Sequence, residues 1–220
     1  MNSVVLLCRH GNTFNAGDVV YTVGLQEDLP LTTEGEAQAA ALGAAVAAAG
    51  VWPARVLCGP LIRTKQYAHL MIGGGESAAS LVVDRRLTEL DYGPWSGKTS
   101  AEIRELGYEK ELKAWNERGE WPSSVTFHPS SEQVTREAAE VLDVCRLTPG
   151  LSIIVTSNGR LRSFGRLIAD GIENHAGFKM KTGASSVVQF SGGRWEILGW
   201  DIRPDEVLEV LELLRKQVTG

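Results

Sequence analysis

The sequence predicts an α/β fold: a three-layer sandwich with a mostly parallel central sheet, helices on both faces and an insertion over the site. Three observations predict it. Short apolar runs recur along the chain, continuous rather than alternating, as in strands covered on both faces. Helical segments alternate with them, and strands that alternate with helices form parallel sheets between helix layers. The chain has 220 residues, which suits one domain over 1–220 with an elaboration rather than two full domains.

The first strand is SVVLLC, Ser3 to Cys8. The segment LTTEGEAQAAALGAAVAAAG comes next as a helix, opened by threonine caps with acids in its first turn and closed at Gly50. ARVLCG is a second strand, and PLIRTKQYAHLM a second helix with Pro60 at its start. SLVVD is a third strand. SSEQVTREAAEVLDVCRL has serine caps and places Val134, Ala138, Val141, Leu142 and Cys145 at helical spacing. LSIIVTS is a fourth strand, with a helix from about Leu161 to Asp170 behind it. SSVVQFSGGRWEILGW is a hairpin around Ser191, Gly192 and Gly193, which adds an antiparallel edge. The last helix runs from Pro204 to near Val218. Between Tyr92 and Ser131 the pattern breaks down, with Trp95, Trp115 and Trp121 among charged and loop-forming residues. Residues 92–131 are therefore the candidate insertion or cap; its tryptophans either pin it to the core or face a ring-bearing ligand.

Composition narrows the function. A net charge of -5 argues against a nucleic-acid partner, which needs a basic face, yet leaves room for a local cluster of arginines that binds a small anion. A mean hydropathy of -0.08 argues against a membrane protein, and the N-terminus lacks the features of a secretion signal. Cys8, Cys58 and Cys145 are an odd count at wide spacing, expected as reduced core residues of a cytoplasmic protein rather than a disulfide framework or a zinc site. No metal or cofactor is expected, since no histidine and carboxylate cluster has ligand spacing. His69, His128 and His175 are assigned to ordinary structural or surface roles.

Ligands of open α/β sheets bind beyond the carboxyl ends of the strands. The first strand ends in Arg9, His10 and Gly11; Arg63 stands one helical turn beyond the second; Glu89 follows the third; Thr156, Ser157, Asn158 and Gly159 end the fourth. Two arginines, an imidazole and a carboxylate near helix N-termini suit a tetrahedral dianion. A neutral imidazole can attack phosphorus, and a carboxylic acid can protonate the leaving oxygen.

These stretches resemble the histidine phosphatase superfamily, which includes the phosphoglycerate mutases. CRHGNT resembles the signature of the phosphorylated histidine, DLPLTTEGEAQAAALG the D-x-P-L-T-x-x-G-x-x-Q-A segment, GPLIRT the S-x-L-x-R-A segment with Gly59 for serine, and LTELDYGPWSGKT the stretch with the proton donor. The resemblance implies His10 as nucleophile, Glu89 as general acid, and Arg9 and Arg63 as phosphate ligands. Gly11 permits close backbone approach. Asn15 joins the candidate ligands although it lies one position early, the family's asparagine falling at Ala16. The departure is VTSNGRLRS: where the family has a second histidine, this chain has Asn158, a neutral donor. Arg160 is expected to swing into the space thus left, and Arg162 to face solvent or pair with an acid.

The implied function is a phosphomonoester hydrolase working through phosphohistidine on a small phosphorylated metabolite, with atypical or reduced activity. A mutase is a subordinate version, and a homodimer a conceivable assembly. The alternatives are a phosphate-ester-binding or regulatory protein with impaired turnover, and different chemistry on the same scaffold.

Overall fold

The computed structural model describes residues 3–73, 80–169 and 176–219. Six strands form one mixed sheet. In chain order the elements are β1 (Ser3–Arg9), α1 (Thr33–Ala48), β2 (Pro53–Cys58), α2 (Ile62–Ile72), β3 (Leu81–Val83), α3 (Ser100–Glu105), α4 (Glu109–Arg118), α5 (Ser131–Arg146), β4 (Gly150–Thr156), α6 (Asn158–Ile168), β5 (Ser185–Ser191), β6 (Arg194–Ile202) and α7 (Pro204–Thr219). The strand order is β3-β2-β4-β1-β5-β6. The first four of these strands are parallel, while β5 and β6 add the expected antiparallel hairpin at one edge.

Side-chain alternation along β1 explains the layers. Val4, Leu6 and Cys8 join a core with α1, α2 and α7, including Leu42, Tyr67 and Leu211. Val5 and Leu7 point the other way, into a core with Leu142 of α5 and Phe164 of α6. Residues 92–131 contain α3 and α4, short helices the sequence pattern had not resolved. With the loops around them they build a third cluster, in which Trp95, Trp115 and Phe127 meet edge to face. The three cysteines are buried and unpaired. Among the described residues no helix is long and apolar enough to cross a membrane.

Two features position the site. The connection out of β1 crosses to β2 on one side, and β4 enters between them, so the chain reverses its winding at the β1–β4 pair. Their register sets Arg9 opposite Thr156, and the His10 N–H donates to the Thr156 carbonyl at 3.1 Å. Both strands thus end level, and the segments leaving them enter one crevice. The helix after β4 begins at Asn158 rather than near Leu161, with Ser157 as its N-cap. The expected end at Asp170 lies outside the described residues, as does His175. The other helices open as expected, except that Pro60 precedes α2 by two residues.

Candidate active site

Beyond the ends of β1 and β4 lies a cleft of about 710 Å³, lined among others by Arg9, His10, Glu89, Asn158 and Lys179. The turn after β1 lies directly on the start of α1: a Cβ at Gly11 would come within 2.6 Å of Gly35 Cα. This close packing is why glycine stands at both places. Thr32 caps α1 through Gly35 N–H at 3.2 Å, and the Thr32 N–H donates to the Asn12 carbonyl at 2.9 Å.

His10 is buried. Its Nδ1 lies 2.8 Å from the Gly11 carbonyl oxygen, which can only accept, so Nδ1 carries the proton and Nε2 the lone pair. Arg63 Nε–H donates to that Nε2 at 3.3 Å. Burial holds the imidazole well below its ordinary value, and the charges of Arg63 and Arg9 push the same way against the Gly11 bond. The ring is therefore neutral near pH 7, the form a nucleophile needs.

Arg63, only 1% exposed, donates from Nη1 to the Glu27 carbonyl at 2.8 Å and from Nη2 to that of Gly24 at 3.1 Å. Three of its five N–H groups are thus engaged, one of them on His10 Nε2. Arg9 lines the cleft and donates from Nη1 to the Met180 carbonyl at 2.6 Å, while its buried Nε has no partner among the described residues. Glu89 is buried, accepts from the Leu90 N–H at 2.8 Å and the Gly159 N–H at 3.3 Å, and is bonded by the Tyr92 hydroxyl. Gly159 must be glycine here, since a Cβ would stand 2.7 Å from the Tyr92 oxygen.

Asn158 also lines the cleft. Its Oδ1 accepts from the Met180 N–H at 2.9 Å, which leaves the amide N–H groups as donors. Asn15 sits at the exposed rim with its side chain on Asp18, and the Gly11 carbonyl serves His10.

Two arginines contradict the sequence reading. Arg160 does not turn into the cleft: it is 3% exposed, donates to the Thr88 carbonyl at 2.5 Å and pairs with Glu137 at 2.5 Å. On a helix that begins at Asn158, two positions correspond to about 200° of rotation, so Arg160 faces away from Asn158. Arg162 does not face solvent or pair with an acid. It is 2% exposed, stacks 4.9 Å from the centre of Trp115 and donates to the Gly177 and Asn116 carbonyls.

Sequence reasoning also passed over Tyr92, Lys179 and Asn116, all of which line the cleft. The signal for Arg162 was its spacing of four from Asn158, one face of a helix; Lys179 sits in a loop without a motif. Trp95 and Trp115 pack the third core, as the pinning role suggested, and also line the cleft.

A buried neutral imidazole, Arg9 and a buried carboxylate border one crevice, with Arg63 bonded to the imidazole, an arrangement suited to phosphoester chemistry. The profile of the histidine phosphatase superfamily (branch 1) matches residues 5–203, and the chain belongs to that family, whose members hydrolyse or transfer phosphoryl groups. It is 27% identical over 203 residues to the "Probable phosphoglycerate mutase GpmB" of Salmonella arizonae, with 89% of either chain covered. The fold resembles Bacillus stearothermophilus YhfR, at 23% identity and TM-score 0.72, with 90% of this chain and 96% of the other aligned. It equally resembles a mycobacterial glucosyl-3-phosphoglycerate phosphatase solved with VO3, at 20% identity and TM-score 0.72, covering 90% and 98%.

Proposed function

We propose that the protein is a phosphomonoester hydrolase that works through a phosphohistidine at His10 on a small phosphorylated substrate. The observation that carries this reading is the His10 tautomer: Nδ1–H bound to the Gly11 carbonyl, with the Nε2 lone pair left to accept the Arg63 Nε–H. As the phosphoryl group arrives, Arg63 Nε–H passes from Nε2 to a phosphoryl oxygen. The lone pair then forms the N–P bond while the P–O bond to the leaving group breaks. Glu89 serves as the general acid, handing a proton to the leaving oxygen. Water next attacks phosphorus, its proton returns to Glu89, and the N–P electron pair returns to Nε2.

Arg9 and the Asn158 amide hold the phosphoryl oxygens, Asn158 standing where the family's second histidine would be. Losing one preorganised donor costs about 10²–10³ in rate, so turnover persists at a reduced level. The cleft is far larger than a three-carbon phosphate requires, and Trp95, Trp115, Tyr21 and Phe14 wall it; this supports an apolar or ring-bearing leaving group. Three buried, unpaired thiols support a reducing compartment such as the cytoplasm.

A second reading, a phosphate-ester-binding protein with impaired turnover, is favoured by the neutral amide at position 158. Hydrolysis of p-nitrophenyl phosphate by the parent and by His10→Ala separates the two. The expected result is turnover in the parent, acid-labile phosphate on the quenched protein, and loss of both in the variant. Turnover surviving in His10→Ala would sink the mechanism.

A further inference from the structure

With Arg160 turned away, a phosphoryl group beside Asn158 faces a neutral amide where the family pattern has an imidazole, and Arg162 is committed to carbonyl groups on its other side. One further cation borders the same wall of the cleft. We propose that Lys179 supplies the positive charge that position 158 lacks, as a ligand of the phosphoryl group during transfer. This rests on the reading of the site as a phosphoryl-transfer centre.

The backbone around Lys179 is pinned to that centre from two sides. The next residue, Met180, donates its N–H to Asn158 Oδ1 at 2.9 Å and accepts Arg9 Nη1–H on its carbonyl at 2.6 Å. The Lys179 backbone is therefore fixed next to the two side chains proposed to hold the phosphoryl oxygens, and its exposed four-carbon stem gives it reach. The segment is built into this position. Gly177 and Phe178 both take left-handed φ values, +57° and +52°, which turn the chain back toward Asn158. The Phe178 ring packs where a Cβ of Gly165 would stand and lies 5.2 Å from the centre of Trp200.

Lys179 lines the cleft with Arg9, His10, Glu89 and Asn158. Partial burial and then the charges of Arg162 and Arg9 hold its ammonium below the ordinary lysine value, with no carboxylate of the described residues among the groups that act on it. An ammonium in the field of two guanidiniums is unfavourable in the free protein, and a dianion that enters the cleft relieves it. Lysine serves here as a point charge, so arginine retains much of the effect and a neutral side chain none.

The test is a double-mutant cycle on p-nitrophenyl phosphate with Lys179→Met, Lys179→Arg and Asn158→His, each first shown by circular dichroism and melting temperature to fold like the parent. Lys179→Met should lower kcat/KM on the order of 100-fold in the parent, Lys179→Arg by about tenfold or less, and Lys179→Met in the Asn158→His background by only a few-fold. The proposal is overturned if Lys179→Met stays within about twofold of the parent, or if its loss is equally large beside Asn158→His. A loss confined to substrates whose leaving group is itself charged also overturns it, because Lys179 would then read the leaving group. Should Asn158→His fail to fold, the contrast between Lys179→Arg and Lys179→Met decides. A parent without turnover defeats the proposed hydrolase instead. Orthovanadate binding then carries the test, with Lys179→Met expected to weaken it about tenfold or more and an unchanged affinity refuting the role.

Discussion

At the scale of single residues, His10 carries a consequence that can be measured without any substrate. Burial and two neighbouring guanidiniums depress its folded value, whereas the unfolded chain titrates near the ordinary 6.5. The unfolded state therefore takes up a proton that the folded state refuses, so this residue's contribution to stability is intact above about pH 6.5 and is lost as pH falls below it. The imidazole proton signals of His10 should titrate with a midpoint clearly below 6.5 in the ligand-free protein, and kcat/KM should show no acid inflection at 6.5. A His10 midpoint at the ordinary value would mean that the ring is solvated rather than enclosed. The places of Arg9, His10 and Arg63 were legible because they end a strand or open a helix, and that of Glu89 because it follows the third strand after one short turn. Arg160 and Arg162 were read the wrong way round. Treating 158–160 as loop let Arg160 swing freely, whereas a helix that starts at Asn158 assigns each arginine its direction.

At the scale of elements, the start of α6 and the carboxylate of Glu89 share one space that only glycine leaves open. Gly159→Ala puts a methyl group against Glu89 and the Tyr92 hydroxyl. The expected outcome is a loss of kcat for poor leaving groups by tenfold or more while the protein remains folded, checked by comparing an alkyl with an aryl phosphate. Equal, small losses for both would show that α6 adjusts freely. The regular strands and the long helices were readable from periodicity. The cap helices α3 and α4 were not, being six and ten residues long and ended by Gly107 and Gly119 in left-handed conformations. Yet α3 had announced itself: Thr99 and Glu102 form a capping box, a pattern visible three residues apart.

At the scale of the whole molecule, the layered architecture was legible but the strand order was not, because no local pattern says that β4 inserts between β1 and β2. That insertion brings Asn158 beside His10, and it also distributes the thiols. Cys8 and Cys58 lie in the core on one face of the sheet and Cys145 in the core on the other. Burial raises the Cys8 thiol to about 12 and the other two to about 11, so in the folded state almost none is thiolate at pH 8. Alkylation by iodoacetamide under native conditions should be slow at all three sites and, read peptide by peptide, should proceed at one common rate set by global opening. Faster modification of Cys145 would show that α5 and α6 peel from the sheet on their own. The molecule thus has a built-in clock on either side of its sheet, and a tight-binding phosphoryl analogue should slow both hands together.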